Sequence, residues 1–345
     1  MSAIINPPAK TGLIGFPVEK SLLPALYNAA YDQFDLNWRY HLYPAASSRD
    51  FDRLFAELSV DESCAGLSVT LPYQRAAAEA VTSAGGMLVD TAQDVGALTL
   101  VSLVYHGTPL AQQSTSTETL PGKQAALVDK NEVSPPWVSL LGYNLDGAGL
   151  VASLRRRTDL HLVGARVVIY GTGATSASFC LALAAAGASE VTVVSRHSAR
   201  ARDFVANLSA SFCKQQPDGT FRGLGDTDEV LLRSTLEEAT LLIDATSTGT
   251  YPDDLALLST NRISPQHTVL DVVYGQGQTQ LLRAARAAGA RAFDGLDMMV
   301  ETAALGFSLW CEASRIQPVP NNAAVFDVMM KAARAELQRR ELIAP

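Results

Sequence analysis

The sequence predicts an α/β protein built from two domains, and three observations carry that reading. Midway along the chain, the β-branched run Arg166–Tyr170 enters Gly171-Thr172-Gly173-Ala174-Thr175-Ser176, an Ala-rich stretch follows, and Glu190–Val194 supplies a second apolar run. Roughly 150 residues precede this unit, enough for a domain of their own, and they alternate strand-like with helix-like segments. Two long helical patterns, about 298–314 and 322–342, close the chain.

The central unit has the form of a dinucleotide-binding βαβ corner. Gly171 and Gly173 permit a sharp turn and a close approach of the backbone to a pyrophosphate, whose charge sits on the amides that open the helix at Ala174 and Thr175. Ser176 stands where a third glycine is usual and is small enough for tight helix–strand packing. The end of the second strand selects the nucleotide. An NAD site wants a carboxylate there for the ribose 2′-hydroxyl, but the chain reads Ser195-Arg196-His197-Ser198-Ala199-Arg200-Ala201-Arg202, with no acid before Asp203. Guanidinium groups match a 2′-phosphate in charge and geometry, so NADP is the expected cofactor. The competing reading is a basic, solvated helix start.

In the first domain the strand-like segments are Thr11–Gly15, Trp38–Tyr43, Ala65–Thr70 and Gly96–Tyr105. Helical patterns cover Ser21–Phe34, Asp50–Leu58 and Gln74–Thr82. Trp137–Tyr143 is expected to pair back onto the preceding strand, and a helix over Gly147–Arg157 to bridge to the second domain. Between Tyr105 and Trp137 a stretch rich in Ser, Thr, Gln, Gly and Pro exceeds ordinary connection lengths, so a mobile loop or an elaborated hairpin near the cleft is expected there. Lys214–Thr227, with Pro-Asp-Gly, reads as surface decoration. The expected division is a substrate domain at 10–148, a Rossmann-type nucleotide domain at 149–297, and helices over 298–345 returning to the first.

At 48% hydrophobic and 18% charged residues, the composition is that of a soluble protein with a large core. A net charge of −8 argues against a nucleic-acid partner. No apolar stretch is long enough for a membrane span, and the N-terminus has no signal-peptide core. Cys64, Cys180, Cys213 and Cys311 lack metal-like spacing and read as reduced thiols of a cytoplasmic protein. His41, His106, His161, His197 and His267 form neither a metal set nor a triad, so no metal is expected. The expected partner is a small molecule, and the protein is expected to be a monomer or homodimer.

Several further stretches fit one family. They are Gly15-Phe16-Pro17-Val18-Glu19-Lys20-Ser21-Leu22-Leu23-Pro24, Ser68-Val69-Thr70-Leu71-Pro72-Tyr73-Gln74, Asn144-Leu145-Asp146-Gly147, Asp244-Ala245-Thr246-Ser247-Thr248-Gly249, Asp271-Val272-Val273-Tyr274 and Gly295–Glu301. In this order and spacing the chain resembles shikimate dehydrogenase and its quinate-using relatives. The resemblance implies NADP-dependent interconversion of 3-dehydroshikimate and shikimate, a step of aromatic amino acid biosynthesis, in a cleft between two α/β domains. It places Thr246 and Ser247 at the cofactor, and Ser21, Thr70, Asn144 and Tyr274 at the substrate. It also implies a Lys–Asp pair that manages the proton. The Asp is Asp146, but the Lys position holds Gln74, whose amide cannot give or take a proton near neutral pH. Arg75, always protonated, faces another side of its helix.

Other positions depart as well. The second carboxylate-binding serine is Leu23, the family Asn falls on Thr99, and the Thr before the catalytic Asp is Leu145. A substrate-touching Gln falls on Glu301, with a register one residue out as the alternative at Thr99 and Glu301. Lys to Gln, Ser to Leu and Gln to Glu all make the pocket worse for a carboxylate and better for a neutral or amine-bearing ligand. The expected activity is an NADP-dependent oxidoreductase on a cyclic alcohol or ketone. The alternative is a catalytically impaired member that binds nucleotide and ligand as a sensor or regulator.

Overall fold

The structure, a computed structural model, describes residues 8–106, 137–212, 220–249, 254, 260–275 and 277–343. The first sheet is built from β1 (Ala9–Gly15), β2 (Trp38–Pro44), β3 (Cys64–Val69), β4 (Met87–Val89), β5 (Leu100–His106) and β6 (Trp137–Tyr143). Its spatial order is β2-β1-β3-β5-β6-β4. β1 pairs in parallel with β2 and β3, while β5 runs antiparallel to both β3 and β6. The strand–helix alternation makes this half: α1 (Leu23–Gln33), α2 (Ser48–Ser59) and α3 (Gln74–Ser83) form the crossovers and turns that parallel pairing requires. The α2 apolar positions Phe51, Phe55 and Leu58 recur at helical spacing and are buried, and Ser47 caps its first turn by accepting from Asp50 N–H.

The expected pairing of 137–143 onto the preceding strand is observed, with Leu100 opposite Tyr143 and His106 opposite Trp137. The segment expected to be mobile, 107–134, lies outside the described residues. The strand expected from Gly96 starts later. Gly96, at φ +62°, closes a short helix α4 (Thr91–Val95), and neither that helix nor β4 follows from the periodicity of so few residues.

A helix α5 (Asp146–Arg157) leads into the second sheet. That sheet comprises β7 (Arg166–Tyr170), β8 (Glu190–Ser195), β9 (Phe221–Gly225), β10 (Leu241–Asp244), β11 (Thr268–Asp271) and β12 (Arg291–Phe293). All its pairings are parallel, in the order β12-β11-β10-β7-β8-β9. The strand order reverses between β7 and β10, the switch point where doubly wound sheets open a crevice at their carboxyl ends. Helices α6 (Ala174–Ala185), α7 (Ser198–Phe212), α8 (Glu229–Glu238) and α9 (Gln280–Ala287) flank the sheet. The Ala-rich α6 lacks a polar face because it is buried on several sides, between the sheet and α5. β9 corrects the reading of 214–227 as decoration. Its Phe-Arg-Gly-Leu-Gly sequence looks like a turn, yet the glycines are there because α7 lies across the strand: a Cβ at Gly223 would stand 2.6 Å from the carbonyl of Ala201. Residues 213–219 lie outside the described part.

Helices α10 (Leu296–Ala313) and α11 (Asn322–Ile343) return to the first sheet. Phe307 and Trp310 of α10 and Met329 and Met330 of α11 share one core with Tyr27, Tyr31, Trp38 and Tyr40. Tyr27 and Tyr40 stack at 4.5 Å, and Trp310 Nε1 donates to the Val101 carbonyl at 3.0 Å. Cys64, Cys180 and Cys311 are buried free thiols, and among the described residues no helix is long and apolar enough to cross a membrane.

At neighbouring positions on β10 and β11, Asp244 and Asp271 are both 1% exposed. Asp244 Oδ1 accepts from Thr246 N–H and Oγ1–H. Asp271 Oδ2 accepts from Thr279. Burial, then the nearby Asp271 charge, pushes the Asp244 carboxyl up to about 6 against the pull of Thr246.

Two predictions follow from this packing. A Cβ at Gly66 would fall 2.0 Å from Trp310 Nε1 and 2.5 Å from the Val101 carbonyl, so Gly66→Ala should cost about 3 kcal/mol in denaturant unfolding. Asp244 binds its proton more tightly folded than unfolded. Its stabilising contribution is therefore complete below about pH 4 and lost as pH rises through about 6. Asp244→Asn should stabilise the protein by about 2 kcal/mol at pH 7.5 and by almost nothing at pH 4, read from urea melts across that range.

Candidate active site

Two cavities open at the carboxyl ends of strands, one in each sheet. The larger, about 750 Å³, lies between the first sheet and the start of α10. The smaller, about 410 Å³, lies at the switch point of the second sheet.

Asp146 stands at the larger cavity as the first residue of α5. Burial raises its carboxyl above the usual range, while a hydrogen bond from Thr175 Oγ1 to Oδ2, 2.9 Å, acts in the opposite direction. The turn before it is held by Asn144, whose Nδ2 donates to the Ala97 carbonyl and whose Oδ1 accepts from Asp146 N–H. Gln74, the first residue of α3, lines the same cavity, while Arg75 is exposed and does not. Ser21, Thr70, Thr99 and Tyr274 also line it, as the sequence leads one to expect. Thr99 Oγ1 accepts from Leu145 N–H at 3.0 Å and keeps its own proton to donate. Burial pushes the Tyr274 phenol up, Arg340 opposing, so it stays neutral. Arg340 of α11 also donates to the carbonyls of Lys20 and Ser21, fixing that loop at the cavity rim.

Two expected substrate residues are not in the cavity. Asn144 is 6% exposed and spends its amide on the turn. Glu301 is 2% exposed and bonded to Arg156 Nε at 2.6 Å, the guanidinium lying 3.8 Å over the Phe326 ring. One residue further, about 100° round the helix, Thr302 faces the cavity. The expectation of a negative charge added to the pocket at 301 is therefore wrong: the helix turns that carboxylate toward α5. Thr302, Ser68, Tyr27 and Lys20 line the cavity and were not singled out from sequence. Ser68 was visible in the strand alternation that also points Thr70 inward.

The smaller cavity is lined by Gly171, Gly173, Ser195, Arg196, His197, Arg200, Thr246 and Ser247, all expected there. Gly171 has φ +117°, and a Cβ on it would meet Ser176 Oγ and the Ala245 carbonyl at 3.0 and 3.1 Å. At Gly173 a Cβ would meet nothing within 4 Å, so that face opens toward the cavity. Ala174 and Thr175 do not line it; their contribution is confined to the amides opening α6, and the Thr175 hydroxyl is committed to Asp146. Asp226, just past β9, also lines this cavity. Its carboxylate was missed because it follows a strand that the sequence disguised as a loop. No cluster of three or more metal-ligating side chains occurs among the described residues.

Comparison with known proteins agrees with this geometry. A family model described as the shikimate dehydrogenase substrate binding domain matches residues 13–101. A shikimate dehydrogenase (NADP(+)) of Methanopyrus kandleri is 31% identical over 316 residues, covering 90% of this chain and 93% of the relative. Among solved structures, a shikimate dehydrogenase in complex with NADP+ superposes with a TM-score of 0.72 at 20% identity, covering 96% of each chain. The ligand-free 5-ketofructose reductase of Gluconobacter sp. strain CHM43 gives 0.67 at 22% identity, covering 96% of this chain and 99% of that one. Given its identity to the Methanopyrus relative over nearly the full length of both, the chain belongs to the shikimate dehydrogenase family.

Proposed function

We propose that the protein is an NADP-dependent oxidoreductase that interconverts a hydroxyl and a ketone on a neutral cyclic or polyol substrate. The observation that carries this reading is the bond between Asp146, at the substrate cavity, and Thr175, on the helix that opens at the nucleotide turn. The bond ties a candidate proton acceptor in the substrate cavity to the helix that begins at the glycine turn, which supports the reading. A bound nicotinamide supplies or accepts the hydride; the protein's own residues hold the alcohol and move its proton. In the oxidation direction, Asp146 accepts the hydroxyl proton, and its raised carboxyl makes it a better base than a solvated aspartate. Gln74 and Thr70 orient the reacting oxygen by hydrogen bonds. Ser21, Thr99 and Tyr274 hold other hydroxyls, and Thr302 occupies the position on α10 first expected at 301.

The substrate reading rests on two departures. Gln74 removes the cation that would stabilise developing negative charge on oxygen, and Leu23 removes a donor for a carboxylate. Lys20 at the rim offers a positive charge, but exposed and on a flexible stem it makes a weaker anion site than fixed donors. A protein of this fold is named for a neutral ketosugar, so the fold itself does not demand a carboxylate. Gln74 also favours a second reading, a binding protein that senses nucleotide and ligand without turnover.

The cofactor expectation is that NADPH binds at least about tenfold more tightly than NADH, since each charged phosphate contact is worth a kcal/mol or more. Replacing Arg196 and Arg200 with Ala should erase most of that preference and leave NADH affinity nearly unchanged, measured by fluorescence titration. Equal affinities in the unaltered protein would refute it.

The catalytic expectation is that neutral cyclic alcohols and polyols outrun shikimate in a panel assay with NADP+, and that shikimate turns over at less than about 10 per second. Gln74→Lys should raise shikimate turnover by about 10²-fold, and adding Leu23→Ser should lower its KM. Asp146→Asn should abolish activity on every substrate. If no panel member reacts but one shifts NADPH affinity, the sensing reading replaces catalysis.

A further inference from the structure

Thr175 is the second residue of α6, two positions past Gly173, and its hydroxyl points away from the nucleotide cavity to Asp146 Oδ2. Three residues on, Ser178 Oγ accepts from Gly147 N–H at 2.8 Å. Residues three apart share a helix face, so one face of α6 grips two consecutive residues in the first turn of α5. The grip is close: a Cβ at Gly147 would lie 2.4 Å from the Ser178 carbonyl. Among the described residues, the carboxylate of Asp146 makes no hydrogen bond other than that from Thr175.

We propose that Thr175 is a positioning residue for Asp146: its hydroxyl fixes Oδ2 and leaves Oδ1 as the oxygen presented to the substrate hydroxyl. The proposal rests on Asp146 acting as the base of the reaction above. A carboxylate held at one oxygen by a donor has its χ2 set; without that donor, its two oxygens exchange freely and the base loses its aim. The donor also opposes burial in setting the carboxyl's acidity.

Among the described residues the surroundings offer no substitute. The ionisable groups sharing the cavity are Glu19 and Lys20 before α1, Tyr27 on α1 and Tyr274 after β11, and none is hydrogen-bonded to the carboxylate. From α6 the one ionisable side chain is Cys180, buried in the core. On α5, Arg156 and Arg157 lie at the far end, paired with Glu301 and Asp297 of α10.

The test compares Thr175→Val, which keeps size and shape but removes the donor, with Thr175→Ser, which restores it, and Thr175→Ala as a second deletion. Asp146 is titrated by carboxyl ¹³C NMR in the free protein, with Asp146→Asn identifying its resonance. The pH profile of kcat/KM is measured on the best substrate of the panel. Thr175→Val and Thr175→Ala should move the Asp146 titration and the acid limb upward by about one pH unit, in accord with the loss of one hydrogen bond to a charged group. They should also lower kcat with little change in KM, and Thr175→Ser should return both to the unaltered values. An Asp146 titration unchanged in both deletions overturns the proposal, as does a loss of NADPH affinity in place of the titration shift, which would make Thr175 a nucleotide contact. The NMR arm reads the bond without turnover. Failure of Asp146 as a base is separate and would show as full activity in Asp146→Asn.

Discussion

The site depends on how closely three helices approach at the start of α5. Gly147 meets α6, where a Cβ would stand 2.4 Å from the Ser178 carbonyl, and Gly149 meets α10, where it would stand 2.1 Å from Thr302 Oγ1. Both are contacts that only a residue without a side chain allows. α6 belongs to the nucleotide sheet, and α10 packs on the first sheet through Phe307 and Trp310. The first two turns of α5 are thus the place where both halves meet, beside Asp146. Asp146 is consequently placed by backbone geometry before any ligand arrives.

Charge at this junction is arranged so that the cavity stays sparsely ionised. Glu301 is withdrawn to Arg156, and the guanidinium is covered by the Phe326 ring, so both ions meet partners on α10, α5 and α11. Only the carboxylate of this pair is buried, the Arg156 side chain being about a third exposed, and desolvation of the acid offsets much of the attraction. The pair's effect here is positional: it holds α5 and α11 against α10 and keeps a carboxylate out of the substrate cavity. Asp297 does the same one turn earlier with Arg157.

Part of the second sheet was legible in the sequence because its strands are buried and parallel and read as continuous apolar runs, as in Arg166–Tyr170 and Glu190–Ser195. Most of the smaller cavity's lining was legible too: Gly171 and Gly173 lie in a local turn, Ser195, Arg196, His197 and Arg200 follow one strand end, and the resemblance supplied Thr246 and Ser247 after β10. Other features depend on information that no local window holds. Whether residue 301 or 302 faces the cavity is a rotation of about 100°, and both are polar residues in a motif-like stretch. β9 was hidden because its glycines answer to a helix packed across it rather than to a turn. Thr175 was assigned to the nucleotide by its place in the glycine turn. Its hydroxyl serves Asp146, a residue 29 positions earlier, which only the packing of α5 on α6 reveals.

The corrected position of Glu301 changes the argument about substrate without reversing it. With that carboxylate outside the cavity, repulsion by an added negative charge no longer counts against an acidic ligand. What remains is the loss of fixed donors and of the cation at 74. Fixed donors matter because a carboxylate entering a partly apolar cavity gives up its water, and a neutral amide or a leucine returns little of that solvation. A neutral polyol surrenders far less on entry. Thr302 spends its proton on the Met298 carbonyl and can only accept, but hydroxyls such as those of Ser21, Ser68, Thr70, Thr99 and Tyr274 both donate and accept. Such a lining matches a ligand whose own groups do both. Against a carboxylate, which only accepts, half of that capacity is idle.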